Sequence, residues 1–274
     1  MKRGEQHLES SIPLILIAIL AVFVAAKFGF VNCSSIPGLN MVCPTASINV
    51  LVIGNPSSGI DSALQSEDYR MQGIVYQSNI HQSEVYPGVL NQVDIIVLQG
   101  EQTCDRTARK VIADKVKSGG KMVVIQDACT KLHDDTTLVG WSTDIGNLGD
   151  VMPVQIGSFT RENLPIKKTS VTGTFKIIPI NHPIFPSGQK NYEFSSYVVK
   201  VLPSSTVDSE VLAYINIGDE DSTTGETYFA MLESKSLLSG KVIYFAYDPG
   251  TLIKEGKTRN LFLSTLLYLA GSKG

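Results

Sequence analysis

The chain has 274 residues and a formal net charge of −3 at pH 7. This length suits one α/β domain with a sizeable hydrophobic core, preceded by a short N-terminal segment. Domains that bind nucleic acid are usually strongly basic, so the composition argues against nucleic acid as a partner.

The first predicted element is an apolar helix near the N-terminus. Residues 12–26 form an uncharged apolar run that Lys27 interrupts and 28–31 extend, and about 20 such residues suffice to span a bilayer when the lysine reaches the interface. Because Lys2 and Arg3 precede the helix, the N-terminus is expected in the cytoplasm and the following domain outside the cell. The sequence therefore predicts a single-pass membrane anchor over 1–31, and a secretory signal cleaved after Ala26 is the alternative.

The residues directly before this helix carry a processing pattern. Lys2 and Arg3 precede Gly4, and Glu9 is the fifth residue after that glycine. The arrangement resembles the class III signal peptide of archaeal type IV pilin-like proteins, in which a peptidase cuts after a glycine and a glutamate stands fifth in the mature chain. The resemblance implies an archaeal host, cleavage after Gly4, a retained helix and a role for Glu9 in subunit register. A plain anchor, with Glu9 as an ordinary charge near the membrane, is the alternative.

The cysteines suggest disulfides in an exported protein. An even number of cysteines, here four, is typical of paired thiols outside the cytoplasm. Cys33 and Cys43 lie in the predicted extracellular neck at 32–47, and a bond between them would stiffen it. Cys104 and Cys129 lie in the following domain. Three connectivities are possible for four cysteines, so the sequence leaves the pairing open.

From residue 48 onward, apolar strands alternate with helices. Such strands, joined by helices, indicate a parallel sheet that is covered on both faces. Asp61 is the expected N-cap of the first helix. The predicted strands are 48–54, 73–77, 93–99 and 121–127, and the predicted helices are 61–70 and 106–117.

The pattern changes after about residue 170. Strands with short connections follow, which favours antiparallel or mixed pairing. The last helix is apolar but only about 11 residues long, so we expect it to pack against the core rather than to cross a membrane. The predicted strands are 171–180, 196–202, 211–217, 228–232 and 241–247, and the helix is 259–269.

Three segments of this pattern carry a resemblance to a known fold. They read VDIIVLQG at 93–100, GGKMVVIQDACTKL at 119–132 and GKVIYFAYDPG at 240–250. Together they resemble the class I glutamine amidotransferase-like fold, a flavodoxin-like three-layer α/β sandwich with a mainly parallel sheet. The segment NHPI at 181–184 is similar to a stretch in trehalose-utilisation-type relatives. The resemblance implies one such domain over 48–274.

The same resemblance implies that the catalytic residues of an amidotransferase are missing. The family places a cysteine in a tight elbow after the fourth strand, flanked by glycine, and a His-Pro-Glu sequence after the last core strand. Cys129 is near the elbow without a flanking glycine, and 247–249 reads Tyr-Asp-Pro. A thiol needs a neighbouring base to react, and His133 is the remaining candidate. A thiol-dependent hydrolase that uses Cys129 and His133 is thus the enzymatic alternative.

The implied fold also brings two cysteines together. Cys104 follows the third strand and Cys129 follows the fourth, and these strands are neighbours in the family. Their ends share one edge of the sheet, so the resemblance implies a disulfide between Cys104 and Cys129. It would lie where the active site of this fold is normally found.

Other candidate sites lack essential residues. The loop at 54–59 has the G-x-x-x-x-G spacing of a phosphate-binding loop, but Ile-Asp follows instead of Lys and Ser or Thr. We therefore expect no nucleotide cofactor. His133 with Asp134 and Asp135 could bind a metal, but a solvated loop is the preferred interpretation, and no metal is expected.

Trp141 and Asp150 lie in a long irregular stretch that we place over the edge of the sheet. Long loops at that edge often carry binding, so we expect a surface for a glycan, a peptide or a partner subunit. Packing of Trp141 over the sheet is the alternative. The sequence thus predicts a membrane-anchored, extracellular, non-catalytic domain for binding or assembly at the cell surface, as a pilin-like subunit. An accessory subunit of an envelope transport or secretion complex is another alternative.

Overall fold

One large sheet organises the described part of the chain. The computed structural model describes residues 47–135, 139–141, 148–156, 166–179, 181–185, 191–217, 226–235, 240–254 and 259–271. Within them, nine strands lie side by side in the order β2 (Ile74–Ile80), β1 (Ile48–Gly54), β3 (Ile95–Gln99), β5 (Lys121–Ile125), β13 (Val242–Phe245), β12 (Thr227–Ser234), β11 (Ser209–Asn216), β8 (Lys168–Ile177) and β9 (Tyr192–Val199).

Short strands and helices complete the described elements. The paired short strands are β4 (Thr103–Cys104) with β6 (Lys131–Leu132), and β7 (Val154–Gln155) with β10 (Leu202–Pro203). The helices are α1 (Ser58–Gln65), α2 (Glu67–Met71), α3 (Pro87–Leu90), α4 (Arg106–Lys117), α5 (Pro249–Lys254) and α6 (Arg259–Ala270), with single 3₁₀ turns at Gln82–Glu84 and Leu148–Asp150.

The first half of the sheet is parallel, as predicted. Strands β2, β1, β3, β5 and β13 pair in parallel in that order, which is the flavodoxin-like arrangement. Every residue of β3 is buried, because helices cover both faces. Helix α5 contacts both α1 and α6, and α3 contacts α4. The α/β sandwich that the apolar strand pattern indicated is confirmed.

The second half of the sheet is antiparallel and curls back onto the first. Strands β13, β12, β11, β8 and β9 pair antiparallel in sequence. The outer strand β9 then returns to the chain beyond β13: Val198 forms an antiparallel bridge with Tyr247, and the Val199 amide donates to the Ala246 carbonyl at 2.8 Å. The aromatic rings of Phe175 and Phe194 fill the enclosed space and contact Tyr247.

The helix predicted over 61–70 is two helices, and Asp61 is not an N-cap. Helix α1 begins earlier, with Ser57 at its N-cap position, and Ser66 separates it from α2. The Ser66 hydroxyl accepts from the Tyr69 amide, an alternative to helical bonding that serine favours. Asp61 lies within α1, where its carboxylate accepts from the Tyr76 hydroxyl at 3.2 Å.

The C-terminal helix packs against the core, as predicted. Leu261, Phe262, Leu266 and Leu269 of α6 are buried, and the helix contacts β3 and β5. Among the described helices, none combines the length and the apolar character that crossing a bilayer requires. The predicted anchor, Gly4, Glu9, Cys33 and Cys43 lie outside the described residues.

A buried polar cluster lies where β13 begins, at the end of the sheet opposite to the C-terminal ends of the parallel strands. Glu233 of β12 accepts from the His182 Nε2 at 2.9 Å and from the Tyr268 hydroxyl at 2.7 Å. The Nδ1 of His182 accepts from the Ile184 amide at 3.3 Å, so the ring proton lies on Nε2. Lys241 Nζ is 3.5 Å from the Glu233 carboxylate. The cluster joins the NHPI turn to β12 and α6.

The carboxylate of Glu233 is stabilised in its charged form. Burial favours the neutral acid, but the hydrogen bonds from His182 and Tyr268 and the charge of Lys241 outweigh it, and the pKa of Glu233 is lowered. A lowered folded-state pKa means that the stabilisation is complete above the unfolded pKa of about 4.5 and is lost as the pH falls through the folded value.

Glu233→Gln should therefore destabilise the protein in a pH-dependent way. We expect a loss of about 2 kcal/mol in the free energy of unfolding at pH 7, since hydrogen bonds to buried charged groups contribute about 1.5–3 kcal/mol. Urea unfolding between pH 7 and pH 3 measures the difference from wild type, which should shrink below pH 4.5. Glu193→Gln, on an exposed position of β9, is the control. A difference that does not change with pH would contradict this assignment.

Candidate functional site

The C-terminal ends of the parallel strands form the candidate site. Parallel strands end at the same edge of a sheet, and the loops after β1, β3, β5 and β13 meet there. Gly54 ends β1 and Gly100 follows β3, with φ values of 103° and 85°. A side chain on Gly54 would meet the backbone of Gln99, and one on Gly100 would meet the backbone of Asn55. Gly54, which begins the G-x-x-x-x-G loop, is therefore required for this close approach of two loops.

The elbow after β5 holds a glutamine. Gln126 directly follows the strand and has a φ of 55°. Its backbone N–H donates to the Phe245 carbonyl at 2.7 Å. Cys129, which the sequence placed near the elbow, lies three residues further on, also with a φ of 55°. The residue that the elbow presents is thus Gln126, whose side-chain amide is not a nucleophile.

The disulfide between Cys104 and Cys129 is present. Their Cα atoms are 5.0 Å apart, and both side chains are buried. The pairing of β4 with β6 and the hydrogen bond from the Cys129 amide to the Glu101 carbonyl, at 2.7 Å, bring the two segments together. A sulfur held in this bond is not available as a thiolate.

An ion pair connects the elbow to the antiparallel half of the sheet. Lys168 Nζ lies 2.9 Å from the buried Asp127 carboxylate and donates to the Gln126 side-chain oxygen at 3.1 Å. The other oxygen of Asp127 accepts from the Gln102 side chain. The Gln126 amide nitrogen donates to the Tyr197 carbonyl at 3.0 Å. Both polar ends of the elbow glutamine therefore have partners from β8 and β9.

Asp248 is the middle residue of 247–249, the segment that replaces the His-Pro-Glu sequence of the resembled family. One carboxylate oxygen, Oδ1, accepts from the Ser57 hydroxyl at 3.1 Å, the Gln99 side chain at 3.0 Å and the Gly250 amide at 2.8 Å. These donors come from the loop after β1, the end of β3 and the first turn of α5. The carboxylate is therefore held in a fixed orientation, and it does not face a free thiol.

An open pocket lies between the two halves of the sheet. Its volume is about 370 Å³. The elbow and the β13 loop form one wall, and β8 and β9 form the other. Hydroxyl, amide and charged groups line it, which suits a small ligand held by hydrogen bonds. Its lining includes Gln126, Lys168, Ser170, Ser195, Tyr197 and Asp248.

His133 lies in a second pocket of about 310 Å³, together with His81 and Glu101. Its side chain is exposed, and His81 Nε2 is 3.3 Å from the Glu101 carboxylate. Asp134 pairs with Arg106, and the hydrogen bond from Arg106 lowers the pKa of Asp134. Among the described residues, no three histidine, cysteine or acidic side chains are grouped as a metal site would require.

Trp141 is buried, so its side chain does not form the exposed binding surface that we predicted. Its ring nitrogen donates to the Ala128 carbonyl at 2.9 Å, and its ring meets Tyr244 edge to face at 5.9 Å between centroids. The alternative interpretation, packing over the sheet, describes it correctly. Asp150 is exposed and forms an ion pair with Lys117 at 2.8 Å.

Comparisons with known proteins identify the fold. No family model and no curated protein matches the sequence. A ThuA-like protein from Bacteroides uniformis has a similar structure, with a TM-score of 0.58 and 12% identity over 82% of this chain and 93% of that one. A cytoplasmic protein from Salmonella typhimurium has a TM-score of 0.55 and 13% identity over 80% and 98% of the two chains.

A third similar structure is part of a larger enzyme. A β-galactosidase from Bacillus circulans has a TM-score of 0.53 and 14% identity, and the similar region covers 86% of this chain but 32% of that one. At these identities the likeness establishes the fold alone. The amidotransferase-like fold that the strand and loop segments resembled is thereby confirmed.

Removal of the disulfide should lower stability without changing the fold. The bond joins residues 25 positions apart, and closing a loop of this length contributes about 3 kcal/mol in the chain-entropy model. We expect the Cys104→Ser/Cys129→Ser variant to lose about that much unfolding free energy in urea. Reduced wild-type protein should unfold at the same urea concentration as the variant. Equal stability of the variant and the oxidised wild type would show that the bond is not formed.

Proposed function

We propose that this chain is a non-catalytic amidotransferase-like domain that acts by binding, and that residues 1–31 hold it on the outer face of the cell membrane. The observation that carries the proposal is the replacement of the elbow nucleophile by Gln126. Two further observations support it: Cys129 is bonded to Cys104, and 247–249 reads Tyr-Asp-Pro, without the histidine of the resembled family.

Acyl transfer by this fold needs three elements at once. A thiolate must attack, a base must accept its proton, and backbone donors must stabilise the oxyanion. Gln126 supplies no thiol. The alternative hydrolase, with Cys129 and His133, requires the disulfide to open, and the exposed His133 has its imidazole in a different pocket from Gln126. A binding role needs none of these elements and uses the polar pocket as it stands.

The proposal of an external location rests on the sequence and on the disulfide. The apolar segment 12–31, which the sequence predicts to be a helix, follows two basic residues, which favours export of the domain. A buried disulfide between Cys104 and Cys129 is typical of proteins in oxidising compartments. The pattern around Gly4 and Glu9 further suggests assembly as an archaeal pilin-like subunit, with the helix retained after processing.

The location can be tested by N-terminal sequencing of the membrane fraction. We expect a mature chain that begins at Glu5, sediments with membranes, resists carbonate extraction and is released by detergent. Gly4→Val should leave the N-terminus uncut because the peptidase of the resembled family cuts after a glycine, whereas Gly29→Val should be processed normally. A soluble mature chain that begins after Ala26 would contradict the anchor.

The absence of catalysis can be tested through the thiols. Native protein treated with a thiol-blocking reagent and then digested without reduction should yield a peptide that joins Cys104 to Cys129. We expect no hydrolysis of amide or ester substrates by the wild type or by Cys129→Ala. Activity that disappears in Cys129→Ala but persists in the matched Cys33→Ala variant would establish the hydrolase instead.

A further inference from the structure

Asp248 is an acidic residue of the polar pocket that has no basic partner in the described part of the chain. The other carboxylate at this edge, Asp127, is paired with Lys168 at 2.9 Å. The three hydrogen bonds to Asp248 come from a hydroxyl, an amide side chain and a backbone amide, all neutral groups. Within the described residues, no lysine, arginine or histidine forms an ion pair with Asp248.

The fixed orientation of Asp248 leaves one oxygen for a ligand. All three donors reach Oδ1, and no hydrogen bond from the described residues reaches Oδ2. Asp248 is partly buried and lines the pocket beside Gln126 and Thr251. A partly buried charge without a counter-ion is costly, and a charged ligand that pairs with it lowers this cost.

The net charge of the pocket favours a cation. The positive charge of Lys168 is balanced by Asp127, so the charge of Asp248 remains. Tyr197, 61% exposed, lines the same pocket, and an exposed tyrosine ring attracts an ammonium group placed over its face. The hydroxyls of Ser170 and Ser195 add hydrogen-bond acceptors for the remaining N–H groups.

We propose that this pocket binds a ligand through a primary ammonium group that donates to Asp248 Oδ2 and lies near the ring of Tyr197. The inference rests on the proposed binding function and names its ligand class. A hard metal ion fits less well, because calcium takes six to eight oxygen ligands and Asp248 is the only carboxylate among the described lining residues of the pocket. The ammonium group belongs either to a small free amine or to a lysine side chain of a protein.

Calorimetric titration of the full chain in detergent tests the proposal. Putrescine is the first probe, and 1,4-butanediol, of the same length without charge, is its control. We expect binding of putrescine that weakens as salt is added, and no binding of the diol. Nα-acetyl-lysine amide is the second probe. Tighter binding of it than of putrescine identifies a lysine side chain as the natural group, and the reverse identifies a small amine.

Asp248→Asn is the matched variant for this site. Asparagine keeps an oxygen for the donors from Ser57, Gln99 and Gly250, and places an uncharged NH₂ group where Oδ2 stood. We expect putrescine to bind at least tenfold more weakly, while the unfolding midpoint without ligand stays close to that of the wild type. Tyr197→Leu should weaken binding several-fold, and Asp150→Asn, on an exposed ion pair, should change nothing.

The proposal is overturned if putrescine does not bind, if the diol binds equally well, or if Asp248→Asn and Tyr197→Leu both bind as the wild type does. Should Asp248→Asn fail to fold, Tyr197→Leu and the salt dependence still decide the question. The thiol assays are independent of these titrations. Hydrolysis that depends on Cys129 would overturn the non-catalytic function, whereas failed amine binding would overturn only the ligand class.

Discussion

The return of β9 to the end of β13 is the constraint on which the site depends. A parallel sheet alone would leave the elbow after β5 facing solvent. Because the antiparallel strands curl until Val198 meets Tyr247, β8 and β9 form a second wall over that edge. The ion pair of Lys168 with Asp127 and the hydrogen bond from Gln126 to the Tyr197 carbonyl then join the two walls. The pocket is a product of this closure.

The same backbone supports different chemistry through the side chains that it presents. The elbow places Gln126 in a left-handed conformation after the strand, which is the kind of turn that exposes a nucleophile in catalytic members of the fold. An amide at this point has its oxygen and nitrogen occupied by Lys168 and Tyr197. The turn is therefore used to fasten the second wall of the pocket, and the disulfide between Cys104 and Cys129 fixes the loop that follows.

Local patterns in the sequence were sufficient for most of the framework. Helix α4 has the predicted bounds, Arg106–Lys117, because its apolar spacing and the glycines after it act over a few residues. The parallel strands were recognisable because strands covered on both faces are apolar throughout. The predicted helix over 61–70 was wrong where a side-chain hydrogen bond competes with helical backbone bonding. The break at Ser66 depends on a side-chain hydrogen bond that the helical periodicity does not reveal.

The sequence by itself determined the fold class, the pairing of the third and fourth strands as neighbours and the proximity of Cys104 to Cys129, since these follow from residue patterns and a family resemblance. Tertiary structure decided which residue fills the elbow, that Trp141 is buried, and which side chains surround Asp248. Lys168 and Tyr197 carry no local signal of their role. They reach the elbow because long antiparallel strands twist and curl, a property of the whole sheet rather than of any short segment.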